Sequence, residues 1–209
     1  MQPDLSAVVL AGGRGERLGM DKADAVLGGQ SLLERSLALL APLTDDPVVV
    51  LRRGQVLQAG PPAARVVRDL APYEGALAGL AAGLAACRHD WAIVVACDMP
   101  FLNARLLAHM ASLREGFDAV VPRLSVGLEP LHALYHRRAL ASIERALQEG
   151  RRRLVSFYEA LRVRYLEEDD LRRLDPDLRS LFNVNTPPDL ALAEEWLAAC
   201  SADLTCADG

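Results

Sequence analysis

Short β-branched and aliphatic runs alternate along this chain with stretches whose apolar positions recur every three or four residues. Val8-Val9-Leu10 reads as a strand, and Ser31-Leu32-Leu33-Glu34 as a capping box opening a helix over Leu32 to Leu40. Pro42 and Asp45-Asp46-Pro47 break that helix before a second strand, Val48 to Leu51, which is too apolar for an exposed edge. Pro61-Pro62 punctuates the next connection, and Arg65 to Asp69 is a third strand ending in a carboxylate. Gly75 to Leu84 keeps helical leucine spacing, with Gly75, Gly79 and Gly83 forming one bare stripe against which a strand or a flat ligand can lie.

Trp91 to Cys97 is the most continuous β run, hence a central strand covered on both faces, and it stops at Asp98-Met99-Pro100. Asn103 caps a helix with Leu106, Leu107, Met110 and Leu113 on its apolar side, and Ala119 to Val121 is a strand. Farther on, Pro130 to Tyr135 reads as a strand, Arg138 to Glu149 as a helix closed by Gly150, and Val163 to Leu166 as a late strand. Phe182 to Asp189 reads as a strand end, a Thr186 cap and a proline-started helix reaching about Trp196. Strands alternating with helices predict a three-layer, Rossmann-like α/β fold with a mostly parallel central sheet, one domain over residues 1–197 and a flexible tail over 198–209.

Composition narrows the partners. A chain of 209 residues, 51% apolar, can bury one substantial core. A net charge of −5 argues against a nucleic-acid partner, so any anion must be held by a local group of cations. No apolar segment approaches a membrane span, and Met1 to Leu5 lacks a basic start followed by an apolar run, which makes the cytoplasm the expected location. Cys87, Cys97, Cys200 and Cys206 lack paired metal-ligand spacing and read as reduced thiols.

The densest chemistry follows the first strand. Leu10-Ala11-Gly12-Gly13-Arg14-Gly15-Glu16-Arg17-Leu18-Gly19-Met20-Asp21-Lys22 interleaves glycines with cations, as a strand end must in order to wrap a polyanion. It is not a Walker loop, because the second glycine position holds Leu18 or Met20. As a dinucleotide fingerprint starting at Gly13 it fails at its third glycine, again Leu18.

The stretch instead resembles the signature of the sugar-nucleotide-type nucleotidyltransferases, in particular the molybdenum cofactor guanylyltransferases. Five further segments agree in order: Asp69, Gly75-Ala76-Leu77-Ala78-Gly79, Cys97-Asp98-Met99-Pro100-Phe101, Pro130-Leu131-His132-Ala133-Leu134-Tyr135 and Asn183-Val184-Asn185-Thr186-Pro187. The resemblance spans Leu5 to about Trp196 and implies the nucleotidyltransferase fold. It also implies transfer of GMP from GTP to molybdenum-molybdopterin, with pyrophosphate released.

On that reading the nucleotide contacts Leu10, Ala11, Gly12, Gly13, Lys22, Asp69, Gly75, Gly79 and Asp98. Arg14, Arg17 and Lys22 face the β- and γ-phosphates, and Asp98, at the carboxyl end of the central strand, holds Mg²⁺ or Mn²⁺. The pterin substrate is expected near Pro130, His132, Arg152, Asn183 and Asn185, and transient contact with cofactor-synthesis or acceptor enzymes is expected. Each position also has an ordinary structural role open to it: surface cations, turn asparagines, a packed strand histidine. Three departures stand out: the run before Lys22 is one residue shorter than usual, Leu51-Arg52-Arg53-Gly54 replaces an often asparagine-containing stretch, and Ala76 replaces a proline. Rival readings are a cytidylyltransferase, acting on molybdopterin or another small phosphate, and a non-catalytic nucleotide sensor.

Overall fold

The computed structural model describes residues 4–57, 64–69 and 72–205. The expected Pro61-Pro62 turn and residues 206–209 of the expected tail lie outside them. In chain order the elements are β1 (Leu5–Leu10), the short pair β2 (Val26–Leu27) and β3 (Gln30–Ser31), α1 (Leu32–Leu40), β4 (Asp46–Leu51) and β5 (Arg65–Arg68). Then come α2 (Ala76–Ala86), β6 (Trp91–Ala96), α3 (Ala104–Ser112), β7 (Ala119–Leu124), β8 (Gly127–Leu128) and β9 (His132–His136). The chain continues through α4 (Leu140–Gln148), β10 (Val163–Glu167), α5 (Glu168–Arg172) and α6 (Pro187–Thr205).

The main sheet runs β10-β7-β9-β6-β1-β4-β5, with β8 hairpinned onto β7. β1 pairs in parallel with both β6 and β4, β4 with β5, and β7 with β10. β9 alone among the long strands runs antiparallel, between β6 and β7. The apolar run of β6 sits at the middle of the sheet, as its composition demands, because helices cover both faces. Ala7 and Val9 of β1 face the layer of α1, α3 and α5, while Val8 faces α2 and α4.

Local signals explain most boundaries. Ser31 and Glu34 form the reciprocal capping box that starts α1, and Asn103 accepts from the amides of Arg105 and Leu106 at the head of α3. Gly150, at φ 73°, ends the α4 region.

Four expectations change. The strand predicted over Pro130 to Tyr135 begins at His132, and the helix predicted from Arg138 begins as a 3₁₀ turn, Arg137–Ala139. Phe182 to Thr186 forms no strand: the Val184 amide donates to the Asp98 carbonyl, and the Val184 side chain packs with Leu27, Leu32 and Ala193 in a small separate cluster. The following helix passes Trp196 and runs to Thr205.

The glycine stripe on α2 settles how closely that helix approaches the sheet. A Cβ at Gly83 would stand 2.4 Å from Val8 Cγ1 and 3.2 Å from Val50 Cγ2. Gly83→Ala should therefore destabilise the fold by about 1–2 kcal/mol, although alanine is the better helix former by about 1 kcal/mol, because overpacking outweighs propensity. Urea unfolding of the variant against the parent measures this.

Candidate active site

The carboxyl ends of β1, β4 and β6 meet the start of α2 around a cavity of about 520 Å³. This is where open α/β sheets place ligands, beyond the carboxyl edge of their parallel strands. Leu10, Gly12, Gly13, Lys22, Asp69, Gly75, Gly79 and Asp98, eight of the positions expected at a nucleotide, all line it. Gly75 stands at φ 94° ahead of α2, whose first turn has no side-chain cap, so its amide end opens on the cavity.

The loop after β1 folds back on itself. The amides of Leu18 and Gly19 both donate to the Gly15 carbonyl, and a Cβ on Gly15 (φ 59°) would meet the Met20 carbonyl oxygen at 2.0 Å. The stem of Lys22 runs beneath Gly13, whose Cβ would lie 3.4 Å from Lys22 Cδ. From there Lys22 Nζ donates to Asp98 Oδ2 at 2.5 Å and to Asn185 Oδ1 at 2.5 Å. The shortened run before Lys22 thus still lets the ammonium reach the end of the central strand.

Each of these partners is held from behind. The Cys97 amide donates to the Leu10 carbonyl, which carries the β1–β6 ladder to the residue before Asp98. Asp189 Oδ2 accepts from the amides of Asn185 and Thr186, and hydrogen bonding, to the Thr186 side chain first and to these amides after it, holds its carboxyl below the usual carboxylate range. The other oxygen of Asp98, Oδ1, is buried with no hydrogen-bond partner among the described residues.

On the far side of Lys22 lies a second recess of about 380 Å³, lined by Gly13, Arg14, Arg17 and Asn185 among others. Arg14 and Arg17 are exposed and make no hydrogen bond or ion pair among the described residues. At the opposite end of the main cavity, Asp69 lies over Gly79, where an added Cβ would come 3.2 Å from Asp69 Oδ1. Burial, then the neighbouring Glu74 carboxylate, raises the pKa of Asp69.

Five predicted positions do not join this constellation. Ala11 is fully buried and does not line the cavity; its amide donates to the Val50 carbonyl and its own carbonyl accepts from Gln55 Nε2. Asn183 turns its amide back to the Leu181 carbonyl. Pro130 does not line the cavity; the next residue, Leu131, does. Arg152 is exposed and lines neither recess. His132 is fully buried, with neither ring nitrogen partnered among the described residues. Conversely, Arg52, Arg53, Glu74 and Leu131 line the cavity without having been predicted. For Arg52 and Arg53 the available signal was position: the turn after β4, beside β1, is bound to reach the same sheet edge.

A glycine-rich loop at the first strand end, a lysine reaching a lone acid on the central strand and an open cavity between them define a nucleotidyltransferase. The chain belongs to the MobA-like NTP transferase family, whose profile matches residues 7–164. It is 36% identical over 197 residues to the molybdenum cofactor guanylyltransferase of Desulfosudis oleivorans, covering 93% of this chain and 96% of that one. To the probable molybdenum cofactor guanylyltransferase of Chloroflexus aggregans it is 39% identical over 199 residues, covering 92% and 95%. The crystal structure of molybdopterin-guanine dinucleotide biosynthesis protein A from Archaeoglobus fulgidus superposes with a TM-score of 0.79 at 33% identity, covering 93% of this chain and 99% of that one. The 2-C-methyl-D-erythritol 4-phosphate cytidylyltransferase of Thermus thermophilus shares the fold at a TM-score of 0.69, with 21% identity over 94% and 98% of the two chains.

Burial pushes His132 down from 6.5 to about 4, opposed only by the nearby Asp175 carboxylate. Between those pH values the unfolded chain takes up a proton that the folded chain refuses, so stability falls as pH falls. The difference in urea midpoint between the parent and His132→Leu should therefore shift against the parent across that window and level off below about pH 4.

Proposed function

We propose that this protein transfers GMP from GTP to the terminal phosphate of molybdenum-molybdopterin, forming the guanine dinucleotide and releasing pyrophosphate. The observation that carries this reading is Lys22, bridging Asp98 and Asn185 at 2.5 Å each where the two recesses meet. A cation held there by an acid and an amide is poised to exchange those partners for phosphate oxygens. The relatives' names, each a molybdenum cofactor guanylyltransferase, support GTP as donor.

In the reaction an oxygen of the acceptor phosphate attacks the α-phosphorus in line. The bond from α-phosphorus to the bridging oxygen breaks, and its electron pair leaves with pyrophosphate. The attacking phosphate is already ionised, so no side chain has to remove a proton. The protein's task is to hold two anions together and to neutralise the charge that grows on the leaving group. The amides and open backbone of Gly12 and Gly13 let the nucleotide approach, while Arg14, Arg17 and Lys22 face the β- and γ-phosphates.

Asp98 fits a hard divalent cation through its partnerless buried oxygen. Among the described residues no three acids, histidines or cysteines converge on a metal position, so the remaining ligands would be phosphate oxygens and water. Mg²⁺, or Mn²⁺ in its place, would supply charge neutralisation between those oxygens. Asp69 and Glu74 support guanine in particular. Guanine's N1–H and N2 amine give two adjacent donors to a carboxylate, whereas cytosine sets an acceptor beside its single amine.

Purified protein with molybdenum-molybdopterin and Mg²⁺ should incorporate GTP in preference to CTP. Asp98→Asn should lower kcat by about a hundredfold or more, as should Lys22→Met. Thermal protection by CTP but not by GTP would reject the guanylyl assignment.

A further inference from the structure

We propose that Arg52 is a positioning residue which, through Asp21, holds Lys22 in its working place, so that one turn after β4 secures both ends of the glycine loop. The claim rests on the preceding reading of Lys22. The ion pair is bidentate: Arg52 Nη1 donates to Asp21 Oδ1 at 2.8 Å and Nη2 to Oδ2 at 3.1 Å. Asp21 stands at the N-cap of the 3₁₀ turn Lys22–Asp24 and its carboxylate makes no capping hydrogen bond there. The side chain that would ordinarily cap the turn is given over to Arg52.

The turn bearing Arg52 is itself fixed. Gln55, almost fully buried, accepts from the Arg52 amide at 3.1 Å and donates to the Ala11 carbonyl at 2.9 Å, which pins the start of the glycine loop. Arg68 Nη1 donates to the carbonyls of Arg52 and Gln55 at 3.2 and 2.9 Å. Gly12 seats the turn from below, because a Cβ there would come 3.1 Å from the Arg52 nitrogen. The chain therefore leaves β1 through a position clipped by Gln55, makes its excursion through Gly13 to Met20, and returns at a position clipped by Arg52. Lys22 follows directly.

Both side chains of the pair are only partly exposed, 29% for Arg52 and 23% for Asp21, and the planar fork of arginine fits a carboxylate in one orientation. A lysine at 52 would keep the charge and lose that orientation. A fixed Asp21 limits where the next residue can aim its ammonium, and a misplacement near 1 Å at a reacting centre costs up to about a hundredfold in rate.

The test compares Arg52→Gln, Asp21→Asn, the double variant and the reciprocal swap Asp21→Arg with Arg52→Asp. Two readouts are taken: kcat and KM for guanylyl transfer, and the rate of tryptic cleavage after Arg14 and Arg17, followed by mass spectrometry. Each single variant should lose about tenfold or more in kcat, the double variant should be no worse than either single, and the swap should recover part of the loss. Cleavage at both arginines should accelerate in the single variants and slow again in the swap. Additive losses, or kcat within about twofold of the parent, would overturn the proposal even if cleavage accelerates, since the pair would then tether the loop without aiming Lys22. If the parent transfers no nucleotide at all, the functional reading fails on its own evidence. Unchanged cleavage in Arg52→Gln then separately overturns the clasp.

Discussion

One ammonium group ties this molecule's chemistry together. Lys22 meets an acid 76 residues away and an amide 163 residues away, and neither contact exists until the sheet does. β1 and β6 must pair in parallel and in register, Leu10 opposite Ala96, for the glycine loop and Asp98 to leave the sheet at the same level. The last segment must then fold across that edge, which it does by donating the Val184 amide to the Asp98 carbonyl. Leaving the buried Asp98 without its cation would cost up to several kcal/mol, because a desolvated charge without a partner is among the most expensive arrangements a protein can contain.

Electrostatics at the site are local, as an acidic chain requires. The net charge of −5 would repel a triphosphate at long range. Arg14, Arg17 and the Asp98-paired Lys22, three cations from one loop, stand with the uncapped amides of α2 around the two recesses. Their counterpart is the carboxylate pair Asp69 and Glu74 at the other end of the cavity. The main cavity thus holds Asp69 and Glu74 together with Arg52 and Arg53, and the adjoining recess holds Arg14 and Arg17.

Much of this was legible in the residues. The helix over Leu32 to Leu40 carried its own capping box, and the central place of β6 followed from a run too apolar to face water. Glycines among cations at a strand end marked a loop that lines the cavity, and Asp98 after that apolar run marked the acid that Lys22 meets. What stayed hidden depended on side-chain direction and long-range pairing. Period-two alternation says which residues share a face but not which face meets a helix, and so His132, one position past Leu131, went to the core while Leu131 reached the cavity. Ala11 sat inside the signature, yet its backbone is spent on Val50 and Gln55. Gln55 itself carried no pattern, since a lone glutamine in a polar turn looks the same whether it clips a loop or faces solvent. The β2–β3 pair is too short for any periodicity to register.

At one end the cavity is bounded by a helix with almost no side chain on the relevant face. Gly79 brings the backbone of α2 against Asp69 and Leu10, and Gly83 presses the same helix onto Val8 and Val50. No side chain of the helix stands between its backbone and Asp69 Oδ1 or Leu10 Cδ2 at that end. A ligand entering at that end would meet the main chain of α2, while one entering the opposite recess would meet the exposed side chains of Arg14 and Arg17.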